Sequence, residues 1–90
     1  MSGFPDVKYW VQNYGMAGVE DKRAVETFVD CETDEKIKTF REQLLSISKG
    51  KYEERVLDAF VGKGRAKKHR SYDEWAKLML LWLHEFAKRH

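Results

Sequence analysis

The nine residues Gly62-Lys63-Gly64-Arg65-Ala66-Lys67-Lys68-His69-Arg70 carry five bases and no acid, and they lead directly into Ser71-Tyr72-Asp73-Glu74. Ser71 and Glu74 form an S-x-x-E pair, the signature of a helix start. A helix start presents free N–H groups and about half a positive charge, so a flexible basic loop over 63–70 concentrates positive potential at one point. The expected chemistry is attraction of a phosphate or another polyanion, most simply a nucleic-acid backbone. Lys63, Arg65, Lys67, Lys68 and Arg70 are the candidate anion-binding residues. The two glycines let the backbone approach a ligand, and Tyr72 and Trp75 can stack a base if they are exposed. About five phosphate contacts on duplex DNA predict a log-log salt slope near −4.5. No G-x-x-x-x-G-K-[ST] phosphate loop occurs.

An opposing block lies upstream. Between Glu20 and Glu35 stand seven acids (Glu20, Asp21, Glu26, Asp30, Glu32, Asp34, Glu35) against two bases, Lys22 and Arg23. The acidic and basic blocks can pair within one molecule, pair between two, or each face a different partner. In the first case the basic loop is a solvated connection that keeps a small protein soluble.

Other chemistries find little footing. His84-Glu85 begins like the zinc-protease motif H-E-x-x-H, but position 88 is Lys. The next histidine, His90, falls about 240° round a helix from His84, so the two cannot share a metal on one straight helix. His69 sits among cations, and Cys31 has no second thiol. No metal site and no cofactor is implied. Cys31 lies among Asp30, Glu32 and Asp34, which disfavour a reactive thiolate, and it reads as a half-buried helix-end residue. The acid pairs Glu53-Glu54 and Asp73-Glu74 are sequence neighbours that face apart on a helix, so no acid/base pair is assembled. The chain therefore reads as a binding protein and not as an enzyme.

A chain of 90 residues predicts one domain, 1–90, and its 12 aromatic residues offer the dense core that so small a domain needs. One cysteine excludes an intrachain disulfide framework, which fits a reducing compartment. The longest apolar run, Leu78 to Leu83, is six residues. That is too short for a membrane span or a signal-peptide core, so no membrane partner and a cytoplasmic location are expected.

Periodicity points to an all-α fold, a small bundle of four to five helices around a long C-terminal helix. Pro5 suits a first turn, and Val7, Trp10, Val11 and Tyr14 recur at helical spacing before Gly15. Asp21 is placed to cap a second helix carrying Val25, Phe28 and Val29. A strand over Val25, Thr27, Val29 and Cys31 is the competing reading there. Thr33 or Asp34 caps a third helix with Ile37, Phe40, Leu44 and Ile47 on one stripe, stopped by Gly50. Tyr52, Val56, Leu57, Phe60 and Val61 mark a fourth, ending at Gly62.

The last helix runs from the Ser71 cap to about Lys88. Tyr72, Trp75, Ala76, Met79, Trp82, Leu83 and Phe86 share one arc, which Leu78 and Leu80 widen to roughly 200°. Such a helix needs neighbours on several sides, which places it at the centre. Leu81 projects away, among Glu74, Lys77, Glu85 and Lys88. It is either a lone exposed leucine or, with Leu78, the contact of a protein-interaction or homodimerisation module with no nucleic-acid role.

Overall fold

A computed structural model of the chain describes residues 3–88, which form six helices. These are α1 (Pro5–Asn13), α2 (Asp21–Cys31), α3 (Asp34–Ser48), α4 (Glu54–Phe60), α5 (Lys63–Lys68) and α6 (Tyr72–Ala87). No strand occurs among the described residues. His90, weighed above as a partner for His84, lies outside them.

The caps explain where the long helices begin. Thr33 Oγ1 accepts from Lys36 N–H at 3.2 Å, and Ser71 Oγ accepts from Glu74 N–H at 3.2 Å. The Glu74 carboxylate turns to Lys77 Nζ, 3.1 Å away, so the Ser71 side chain carries the cap. Ser71→Ala is expected to cost about 1 kcal/mol and to lower the melting temperature by about 4–8 °C in a domain of this size. An unchanged thermal melt would refute that role.

α1 is capped from a distance. Its N-cap, Phe4, has φ 51 and offers no side-chain acceptor. Gln43 of α3 replaces it: Oε1 accepts from the N–H of Asp6 (2.9 Å) and of Val7 (3.2 Å), while Nε2 donates to Asp6 Oδ2 at 3.2 Å. Lys36 Nζ donates to Asp6 Oδ1 at 2.9 Å. Burial works to raise the Asp6 carboxyl, but the hydrogen bonds from Thr39 and Lys36 prevail and hold it below its ordinary value.

α6 occupies the centre. It packs against α3 and α2 on two sides and against α5 near its start, while α1 lies on α3 and touches α4. Trp10, Phe28, Phe40, Leu44, Leu57, Trp75, Met79 and Leu83 fill the core. Their rings form a connected series: Phe28 to Phe40 at 4.6 Å between centroids, Phe40 to Trp10 at 5.9 Å, and Trp10 to Trp75 at 6.2 Å. Leu78, Leu80 and Trp82 are half-buried, as expected of the arc's margins. Trp10 Nε1 is buried without a hydrogen-bond partner, a local cost of about 1–3 kcal/mol.

Residues 21–31 are helical, as the periodicity predicts, because Ala24, Val25, Phe28 and Val29 are buried together, a helical spacing that leaves Thr27 and Cys31 exposed and removes the competing strand. Three expectations need correction. Cys31 does end a helix, but it is exposed. Asp21 is the first residue of α2 and does not cap it; Glu20 is the N-cap, and the Asp21 carboxylate is engaged elsewhere. Most important for function, 63–70 is not a flexible loop, since Lys63–Lys68 form α5 between Gly62 (φ 98) and His69. Gly62 stops α4 as expected, and the chain turns there into another helix instead of a loop.

Candidate anion-binding face

Arg65 decides how the basic segment is presented. Its Nε donates to both carboxylate oxygens of Asp21, at 3.0 and 3.1 Å, and Nη2 reaches Asp21 Oδ1 at 2.9 Å. Nη1 donates to Val61 O at 3.1 Å and Nη2 to Gly15 O at 2.5 Å. The guanidinium also lies 5.4 Å from the Trp10 ring centroid. Asp21 Oδ2 in turn accepts from Trp75 Nε1 at 3.0 Å. A guanidinium has five N–H donors in a fixed fork, and here four of them are spent inside the protein. Arg65 is therefore the anchor of α5, its charge already paired with Asp21. It also joins the acidic and basic blocks within one molecule, at the Asp21 to Arg65 contact.

The other four cations face outward. Lys63 is 79% exposed and only 4.0 Å from Asp58 Oδ2, at the limit of an ion pair. Lys67, Lys68 and Arg70 are exposed. Arg70 sits in the tight turn between α5 and α6 with φ 81, a left-handed backbone that costs a non-glycine residue about 1–2 kcal/mol. That turn sets Arg70 beside Lys68 and His69 at the mouth of a groove of about 430 Å³. The groove is completed by Glu74, Lys77, Leu78 and Leu81. Lys68, Arg70 and the two leucines, read separately in the sequence, thus share one groove. The recurrence of Glu74, Lys77, Leu78 and Leu81 at helical spacing just after Arg70 was the signal that linked them.

The start of α6 contributes less positive potential than its position promised. Ser71 occupies the Glu74 N–H, and Asp73 and Glu74 add two carboxylates to the first turn. The hydroxyl of Tyr52 donates to Asp73, and Tyr72 Oη donates to Asp58 Oδ1 at 2.5 Å. Burial, and then the hydrogen bond to Asp73, push the Tyr52 phenol up to about 12. Tyr72 and Trp75 are buried, so neither offers a face on which a base can stack.

Among the described residues, no group of three or more His, Cys, Asp or Glu side chains is arranged to hold a metal ion. None of the described helices is long and apolar enough to cross a membrane. No family model, no curated protein and no solved structure matches this chain.

Proposed function

We propose that the chain is a small helical binding module that contacts a nucleic-acid backbone through the exposed cations Lys63, Lys67, Lys68 and Arg70. The observation that carries this reading is the division of labour in the basic segment. Arg65 is withdrawn to Asp21 and anchors α5, while the remaining cations project from that short helix and the turn after it. Cations fixed in place lose less side-chain and backbone freedom on meeting a phosphate array than cations on a mobile loop. With Tyr72 and Trp75 buried, base stacking adds nothing, so the reading favours a duplex, whose regular phosphates need no stacking platform.

Titration of a labelled duplex at several salt concentrations tests it. Four phosphate contacts predict a log-log slope near −3.6, shallower than the −4.5 of five. Arg70→Gly is the informative variant, because it removes a cation and also relieves the left-handed backbone. It is expected to bring the slope to about −2.7 while raising stability by about 1 kcal/mol, so weaker binding cannot be blamed on unfolding. Absence of binding at low salt, or a slope unchanged by Arg70→Gly, would overturn the reading.

A further inference from the structure

Gly64 is the one glycine of the basic segment that the fold leaves unexplained. Gly62 is claimed by the turn out of α4, with φ 98. Gly18 and Gly50 also have positive φ, and Gly15 lies against the Trp10 ring. Gly64 alone among the described glycines sits inside a helix, where glycine weakens the fold relative to alanine. Its backbone is not left-handed, and a Cβ built on it would meet no atom within 4 Å. A residue that breaks a local rule with no gain to packing points to a use outside the fold.

The residues around it indicate that use. At 100° per residue, measured from Lys63 in one sense, Lys67 falls at about 40°, Gly64 at about 100° and Lys68 at about 140°. Arg65 follows at about 200° and Ala66 at about 300°, and these two are the half-buried residues of α5. Gly64 thus has Lys63 and Lys67 on one flank and Lys68 on the other, and all four are exposed. Asp21, which contacts α5 through Arg65, is also held by Trp75, and Asp58, near Lys63, is held by Tyr72. No acid lies on the helix itself. The arrangement is on the side of α5, and Lys67 and Lys68 belong to its last turn, so the free amides of the helix start play no part in it.

We infer that Gly64 is the point of closest approach, where a backbone phosphate of the duplex comes down on the bare Cα between the three lysine stems. This deepens the nucleic-acid reading and rests on it. Without a Cβ the phosphate settles low enough for ammonium groups to reach it and its neighbours from both flanks, and a side chain there would hold it off. The lysines supply the charge and Gly64 supplies the fit. If the lysines served only to keep the surface soluble, a methyl group added among them would change nothing but helix stability.

Duplex titrations of the wild type, Gly64→Ala and Gly64→Leu, each paired with a thermal melt, test it. Gly64→Ala is expected to raise the melting temperature by about 2–8 °C, since the helix gains a better former and no atom stands in the way. Its affinity for duplex is expected to fall about tenfold, and that of Gly64→Leu, also neutral and a good helix former, to fall further. Gly3→Ala, likewise in open space but outside the helices, is the control and should leave affinity unchanged. The wild-type titration separates the two claims, because no binding at low salt removes both. Wild-type binding with a slope of about −3.6 and an equally tight Gly64→Ala overturns the role of Gly64 alone. So does a loss that Gly64→Leu does not exceed or that Gly3→Ala shares. A lowered melting temperature for Gly64→Ala overturns it too, since the fold would then need the glycine.

Discussion

Asp21→Ala is expected to destabilise the protein by about 3 kcal/mol, a large share of the roughly 5–13 kcal/mol available to a domain of this size. The carboxylate holds two partners from far downstream in the sequence: Arg65, 44 positions away, and Trp75, 54 positions away. Its removal leaves the guanidinium, whose side chain is only 19% exposed, without a counter-charge, and leaves the Trp75 N–H without an acceptor. Asp21→Asn keeps one acceptor oxygen and loses the charge, so it should fall between. Replacing both partners, as Asp21→Ala with Arg65→Met, should recover part of the loss, since no unpaired charge remains. Urea titrations of the four proteins check this. A loss below about 1 kcal/mol for Asp21→Ala would place the pair among ordinary surface bridges.

Gly15→Ala is expected to cost about 3 kcal/mol, the upper part of the range for overpacking a core. A Cβ at Gly15 would lie 2.5 Å from Trp10 Cζ3, 2.7 Å from Cη2 and 3.0 Å from Cε3. The ring cannot yield, because Trp10 is fully buried between Phe40 and Trp75. The backbone must move instead, and it carries the Gly15 carbonyl that accepts from Arg65. The steric demand therefore spreads to the anchor of α5. Gly18→Ala is the control: φ is +89 there but the space is open, so only backbone strain of about 1–2 kcal/mol is expected. Equal effects at the two positions would mean that Trp10 gives way more readily than its packing implies.

These two sites also mark what the sequence could and could not disclose. The starts of α3 and α6 were legible because Thr33 and Ser71 act on amides three residues away. Gly50 and Gly62 were legible as stops for an equally local reason, their positive φ of 78 and 98. α5 was not legible. It has no apolar periodicity, contains Gly64, and buries none of its residues. What holds it is Arg65 reaching α2, the α1–α2 connection and the end of α4, and such contacts leave no trace in a local window. For the same reason five equivalent cations in the sequence become one structural arginine and four exposed residues in the fold. Leu81 was visible as an oddity, and it is the most exposed of the large apolar side chains described.

The central position of α6 also governs the order of events at the ribosome. Residues 5–68 emerge first, yet the main packing partner of both α2 and α3 is α6, which carries the buried Trp75, Met79 and Leu83. At about 5–20 residues per second the nascent chain spends seconds without that partner. Native structure therefore arrives late, once residues 72–87 have cleared the exit tunnel.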